Sequence, residues 1–123
     1  MNVLLDSSFI ISCVRARIDF LSQLEEQGFK VQVPREVLQE MKDLKMRDKT
    51  SREDRISIDV ALEMFERRKV KKMSIGVESV DDFLIKKGNE GYYIATLDAG
   101  IKNRIPNKVV IFSSKDRVGI EGQ

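Results

Sequence analysis

Acidic residues stand next to apolar runs at separate places in this sequence, and carboxylates in such positions can bind metal ions. Asp6 directly follows an apolar run at residues 2–5, and Asp98 lies two positions after another at residues 92–96. Three further acids stand in segments with helical spacing: Glu40, Asp81 and Asp82. Ligands of an open parallel sheet bind beyond the carboxyl ends of its strands, so we expect these acids to meet at one rim.

Each acid also has an ordinary structural interpretation. Asp81 and Asp82 suit the compensation of a helix dipole, and Glu40 suits a solvated helix face. As a group, however, carboxylates within about 6 Å repel one another by roughly 3 kcal/mol per pair at an effective dielectric near 20, which calls for cations. Oxygen ligands favour Mg²⁺ or Mn²⁺, ions that support in-line attack of water on phosphorus. The combination therefore predicts metal-dependent phosphodiester chemistry.

The composition excludes several other kinds of site. There is no histidine, which rules out a Ser-His-Asp triad, a Cys-His pair and His-ligated zinc. Cys13 is the single cysteine and stands among apolar residues, so we expect it in the core and expect no intrachain disulfide. The early apolar run at residues 9–14 is too short to span a bilayer and follows no basic segment, which predicts a cytoplasmic protein.

Apolar runs and helical spacing alternate along the chain and predict the elements that position the acids. Strands are expected at residues 2–5, 30–33, 70–75, 92–96 and 108–112. Helices are expected at residues 9–26 with a break near Arg17, from Pro34 onward, at 56–65, at 79–87 and at 99–105, with Ser7 and Ser8 capping the first. This alternation predicts one α/β domain over residues 1–123, a three-layer α/β/α sandwich around a mostly parallel five-stranded sheet.

Four segments resemble those of PIN-type nuclease domains. Leu5-Asp6-Ser7-Ser8 is similar to their LDTN or LDSS opening, and residues 33–41 are similar to their VPxxVLxEL segment. Residues 80–84 resemble ADDAI, and residues 95–98 resemble ATND, although Leu97 stands where the family usually has a polar residue. The matches follow the family's order and cover essentially the whole chain.

The resemblance implies a PIN-like, Rossmann-like fold with an acidic quartet that binds Mg²⁺ or Mn²⁺ and performs catalysis: Asp6, Glu40, Asp81 and Asp98. Asp82 is the alternative to Asp81 as a metal ligand. We prefer Asp81 because Leu84, three positions later, is expected to turn inward. The same resemblance implies hydroxyl groups that contact the substrate or its waters, from Ser7, Ser8 and Thr96.

Basic residues offer contacts to a nucleic acid. The formal net charge is only +2, so their distribution is more informative than their number. Five of the six residues at positions 67–72 are basic, which fits a phosphate-binding surface and equally an exposed helix end. Lys102 and Arg104 follow Asp98 closely and are predicted to touch the substrate.

The resemblance predicts an endoribonuclease, either an rRNA-processing enzyme or the toxin of a toxin–antitoxin pair. Its implied partners are RNA, an antitoxin or ribosome-assembly protein, and a second copy of the chain. One alternative is a catalytically silent scaffold that binds RNA or protein. Another is a receiver-like signalling domain, which requires an acceptor aspartate after strand three and a lysine after strand five; Lys115 suits it, but Gly76 and Val77 follow strand three.

Overall fold

The computed structural model describes residues 1–122 and shows helices and strands in alternation. The strands are β1 (Asn2–Leu5), β2 (Lys30–Pro34), β3 (Lys71–Met73), β4 (Tyr93–Ala95), β5 (Lys108–Phe112) and β6 (Arg117–Ile120). The helices are α1 (Ser7–Arg15), α2 (Phe20–Glu26), α3 (Arg35–Lys45), α4 (Arg52–Arg67), α5 (Val80–Asn89) and α6 (Ala99–Lys102), and a 3₁₀ turn covers Ser113–Lys115. No helix in this part of the chain is long and apolar enough to cross a membrane.

The strands form a sheet in the order β3-β2-β1-β4-β5-β6. The first five are parallel, and β6 pairs with β5 in the antiparallel direction. The parallel strands confirm the predicted fold class, and β6 corrects the number of strands from five to six. This short strand contains Gly119, a residue type that is depleted in strands, so the sequence pattern did not indicate it.

The first predicted helix agrees with the structure in its break and differs from it in its cap. The helix expected at residues 9–26 is divided into α1 and α2, and Arg17 between them has a left-handed backbone with φ 58°. The break predicted near Arg17 is therefore confirmed. Asp6, rather than Ser7 or Ser8, is the N-cap of α1, because its carboxylate accepts a hydrogen bond from the Ser7 N–H.

Helices cover both faces of the sheet and confirm the three-layer architecture. On one face, α1 to α4 pack around three aromatic rings: Phe9 and Phe20 lie 6.1 Å apart, and Phe20 and Phe65 lie 6.3 Å apart, both edge to face. On the other face, Phe83 of α5 and Ile101 of α6 belong to a second core cluster. Cys13 is fully buried in the first cluster, as predicted, and burial raises the pKa of its thiol to about 12.

The central strand β1 marks the point where the strand order reverses. Val3 and Leu5 belong to one core cluster and Leu4 belongs to the other, so β1 is buried on both faces. The chain runs outward from β1 through β2 to β3 and then crosses back to β4 on the other side of β1, which opens a crevice beyond the carboxyl ends of β1 and β4. Receiver domains have the strand order 2-1-3-4-5, so the receiver-like alternative is wrong.

Gly88 allows α5 to lie close to the sheet. A Cβ atom on this residue would lie 2.6 Å from Ile105 Cγ2 and 3.3 Å from Ile94 Cγ1, which leaves no room for a side chain. This contact anchors the second half of α5, whose first turn carries Asp81 and Asp82. The packing of one glycine thus helps to set where those two acids stand at the rim.

Candidate active site

Asp6 lies at the crevice, between the end of β1 and the start of α1. Its backbone N–H donates to Ala95 O at 2.9 Å, which continues the pairing of β1 with β4 by one residue. Its carboxylate Oδ1 accepts from the Ser7 N–H at 2.9 Å. Only 7% of the residue is exposed. Strand, helix and carboxylate are therefore held in one fixed arrangement.

Thr96 connects Asp6 to the loop that follows β4. The Thr96 hydroxyl donates to Asp6 Oδ2 at 2.6 Å and accepts from the Asp98 N–H at 3.1 Å. Ser8 makes a second link between Asp6 and the same loop. Its Oγ lies 3.5 Å from Asp6 Oδ2 and accepts from the Leu97 N–H at 3.1 Å. Thr96 is 1% exposed, so its hydroxyl orients Asp6, and its assignment as a substrate contact stays a prediction.

Asp98 is exposed and begins the short helix α6. Its Oδ1 accepts hydrogen bonds from the Gly100 N–H at 2.7 Å and the Ile101 N–H at 3.3 Å, which makes it the N-cap of α6. Its Oδ2 accepts no hydrogen bond from residues 1–122. One oxygen of this carboxylate holds the helix, and the other faces outward for a further ligand.

The surroundings of Asp6 oppose its ionisation. Burial is the largest cause that raises its pKa above the ordinary 3.8, and the negative charges of Asp81 and Asp98 raise it further. The hydrogen bonds from Thr96 and from the Ser7 N–H lower the pKa but are outweighed. Asp6 therefore carries its charge at a cost in folding free energy.

Glu40 of α3 is a further carboxylate on which the charges of Asp6 and Asp81 act. Its pKa is raised, first by loss of solvent around the carboxyl group and then by the charges of Asp6, Asp81 and Asp43. The residue as a whole is exposed. Its carboxyl group thus faces other acids while it remains accessible from outside.

Asp81 and Asp82 differ in what they face. The charge of Asp81 raises the pKa of both Asp6 and Glu40, whereas Asp82 is a cause of neither shift. Both residues are exposed in the first turn of α5. The electrostatics agree with the preference for Asp81, and the identity of the metal ligand stays a prediction.

The charges of Asp81 and Asp98 act on Asp6, and those of Asp6 and Asp81 act on Glu40, but these carboxylates do not form a closed set of metal ligands. Within residues 1–122, no three acidic or cysteine side chains already have the spacing to hold one metal ion. The chemistry of the donors nevertheless fits Mg²⁺ or Mn²⁺. All are carboxylate oxygens, and their mutual repulsion is the condition that a divalent cation relieves.

Comparison with known proteins identifies the family. Residues 3–115 match the family described as a PIN like domain. The chain belongs to this PIN-like domain family. The structure of the PIN domain endonuclease Utp24 is similar in fold, with a TM-score of 0.73 and 16% sequence identity over 99% of this chain and 92% of that chain. No curated protein sequence matches.

The remaining predicted contacts of this PIN-like domain are Ser7, Lys102 and Arg104. Ser7 is the first residue of α1, next to Asp6. Lys102 is half-buried at the end of α6, about 4.5 Å along the helix axis from the first residue of that helix. Arg104 is exposed beyond it, and its backbone O accepts from Asn89 Nδ2 at 3.2 Å, at the opposite end of α5 from Asp81. Their roles in substrate binding stay predictions.

A cleft beside Ser8 was not predicted from the sequence. It has a volume of about 510 Å³ and lies between α1 and the start of α4. Arg15 spans it, with Nη2 at 2.7 Å from Glu53 Oε2 and Nη1 at 3.3 Å from Asp54 Oδ1. Glu53 and Asp54 lie 38 and 39 positions after Arg15 in the sequence, so local sequence patterns do not indicate this tertiary contact. The cleft extends the site beyond the hydroxyl that contacts Asp6.

We expect Asp6→Asn to stabilise the metal-free PIN-like domain at neutral pH. Folding raises the pKa of Asp6 above its ordinary 3.8, so the protonated side chain favours the folded state. This favourable contribution is lost as the pH rises through the pKa of Asp6 in the folded protein, where the buried carboxyl group must ionise. The gain from the variant should therefore be largest near pH 7 and shrink as the pH falls toward 3.8. Asparagine keeps the cap, and the Thr96 hydroxyl can rotate to accept from its amide. Urea unfolding in chelator from pH 4 to pH 8 measures the difference.

Asp19→Asn is the matched control, because Asp19 caps α2 through the Ser22 N–H and lies outside the acidic group. Its effect on stability should not follow the same rise with pH. If Asp6→Asn instead lowers the stability at pH 7, the hydrogen bonds of the carboxylate outweigh its burial.

Proposed function

We propose that this PIN-like domain is an endoribonuclease that depends on Mg²⁺ or Mn²⁺. The observation that carries the proposal is the Thr96 hydroxyl, which links the Asp6 carboxylate to the Asp98 N–H at the point where the strand order reverses. The charge of Asp81 acts on both Asp6 and Glu40 beside this link. Family membership and the similarity in fold to the endonuclease Utp24 support the same class of activity.

Each acid has a distinct position in the proposed reaction. Asp6 is the rigid member, since β1, α1 and Thr96 fix its carboxylate. Asp81 and Asp98 are exposed and provide the ligands that can adjust. When bound, the cation supplies the Lewis acidity that activates water and neutralises charge on the phosphate. Glu40, with its raised pKa, is suited to accept the proton of the attacking water on its carboxylate.

The proposed substrate is RNA, held at the rim by its phosphates. Lys102, at the end of α6 behind Asp98, is the residue proposed to contact a phosphate that enters beside the acids. Arg104 lies next to Asn89 at the end of α5 and is proposed to contact the RNA farther along its backbone. Within the family, this activity fits rRNA processing with a ribosome-assembly partner, or a toxin with its antitoxin. A homodimer is compatible with either role.

A catalytically silent scaffold for RNA or protein is the second candidate. The observation in its favour is that no three acids within residues 1–122 are already spaced to hold one ion. In that case the carboxylates would not collect a divalent cation even at high concentration.

Crystals soaked in Mn²⁺ separate the two candidates by anomalous diffraction. An endoribonuclease of the proposed kind gives an anomalous peak among Asp6, Asp81 and Asp98. A peak that appears only at other surface acids, or no peak at saturating Mn²⁺, contradicts the proposed metal site and favours the scaffold.

A further inference from the structure

A basic groove lies at the opposite rim of the sheet from the acids. It is formed at the amino ends of β1 to β4, has a volume of about 600 Å³, and is named here the lysine groove. Its principal lining residues are Lys30, Lys69, Lys71, Asn2, Gln32 and Tyr92. Because β1 to β4 are parallel, their amino ends share one rim while Asp6 and Asp98 follow their carboxyl ends. The groove is thus separate from the proposed active site.

The three lysines of the groove have no charge partners. Lys30, Lys69 and Lys71 are exposed, and none makes an ion pair with residues 1–122. The neighbouring Arg68 is different, because its Nη2 lies 2.9 Å from Glu25 Oε1, the carboxylate that lines the groove. That pair cancels the acidic charge and leaves an excess of three positive charges at this rim.

Lys69 occupies an unusual backbone conformation. It follows the C-cap of α4 with φ 52°, in the left-handed region where glycine is the usual residue after a helix. Positive charge for the helix dipole is already provided by Arg67 and Arg68. A lysine at this position therefore adds backbone strain and contributes a charge to the groove.

We propose that the lysine groove binds the phosphate backbone of RNA, as a second contact surface of the ribonuclease proposed above. Lysines act as point charges for phosphates, and their attraction to a nucleic-acid backbone does not depend on its sequence. Tyr92 is half-buried at the side of the groove, and the Lys87 Nζ lies over its ring at 5.3 Å from the centroid. The amide of Gln32 donates to Asn2 Oδ1 at 3.2 Å and makes the floor polar. Because the substrate proposed for the same domain is RNA, RNA rather than an acidic protein is the expected occupant of the groove.

The groove affects binding rather than the chemical step. The four residues of β1 span about 13 Å, so an RNA that reaches both rims must be folded or must pass around the domain. Removing the lysines should therefore raise KM for a structured RNA and leave kcat nearly unchanged. A substrate of a few nucleotides should be insensitive to the change.

Fluorescence anisotropy with a labelled RNA hairpin that has a single-stranded tail tests the proposal. The intact chain is titrated in EDTA, where no cleavage interferes, from about 50 to about 300 mM KCl. Each phosphate contact contributes about 0.7 to 0.9 to the slope of log K against log salt, so Lys30→Ala with Lys71→Ala should lower the slope by about 1.4 to 1.8. Lys49→Ala, at an exposed loop lysine with no ion pair among residues 1–122, is the matched control.

Lys69→Gly separates charge from folding. Glycine relieves the left-handed backbone, so Tm should stay the same or rise while the slope falls by about 0.7 to 0.9. A lower Tm with unchanged RNA binding would overturn the assignment of Lys69 to the groove.

Other outcomes distinguish this proposal from the proposed function. If the hairpin binds and the double lysine variant has the same affinity and slope as Lys49→Ala, the groove proposal is wrong and the nuclease proposal stands. If the unmodified chain neither binds the hairpin in EDTA nor cleaves it in Mn²⁺, the proposed function fails as well. Displacement of the RNA by polyglutamate at equal charge would identify an acidic protein as the occupant and overturn the assignment to RNA.

Discussion

Replacing Asp98 with asparagine is expected to lower the rate of RNA cleavage by more than about 100-fold. Loss of a group that only supports a metal ligand commonly costs about 10- to 100-fold, and loss of a ligand's own charge should cost more. Asparagine caps helices as well as aspartate does, so the hydrogen bonds to Gly100 N and Ile101 N are kept. The measurement is single-turnover cleavage of a labelled RNA at saturating Mn²⁺.

Asp19→Asn provides the control for this prediction. It makes the same chemical change at another helix N-cap, away from the acidic group. Its cleavage rate should match that of the unmodified chain. If Asp98→Asn retains full activity while both variants have the same Tm as the unmodified chain, the carboxylate of Asp98 has no part in the reaction.

The fold follows from the sequence where a local pattern decides the structure. The parallel strands are short apolar runs in the sequence. Because β1 is buried on both faces, its residues are apolar without interruption instead of alternating between apolar and polar. The strand β6 is different, because side chains of α2 help to hold it. Gln23 Oε1 accepts from Val118 N at 2.8 Å, and Gln27 Nε2 donates to Val118 O at 2.9 Å. Contacts over more than 90 positions leave no local pattern.

The candidate site was predictable to the extent that strand ends determine it. Asp6 and Asp98 follow neighbouring parallel strands, so their meeting at one rim required only the strand assignment and the topology. The link between them through the Thr96 hydroxyl depends on side-chain rotamers and was not specified by the sequence. It explains how an exposed loop residue and a buried strand-end residue are kept in register.

The sequence favoured Asp81 over Asp82 through the expected inward orientation of Leu84, and the electrostatics of the structure agree with that preference. Adjacent residues on a helix point about 100° apart, so the rotation of α5 decides which of them faces the other acids. That rotation is set by packing, including the close contact of Gly88 with Ile105. Leu84 is fully buried, in agreement with the inward orientation from which Asp81 was preferred.

Asp81 and Asp82 are also expected to differ in how far each supports the stabilisation of the protein by a divalent cation. At a free Mn²⁺ concentration of about 100 times Kd, binding to the folded state stabilises it by about 2.7 kcal/mol. For a domain of this size, about 4 °C per kcal/mol converts this to a rise in Tm of about 10 °C. Asp81→Asn should remove most of the rise, because it takes away the charge that acts on both Asp6 and Glu40.

Asp82→Asn should keep the rise, which makes it a closely matched control. Both acids are exposed in the first turn of α5, so a loss of favourable interaction with the helix dipole affects the two variants alike. Thermal unfolding of each variant in EDTA and in Mn²⁺ isolates the part that depends on the ion. Equal shifts for the two variants would mean that general screening of surface charge, rather than a bound cation, stabilises the domain. A shift lost only in Asp82→Asn would place the ion on the other face of α5 and reverse the assignment.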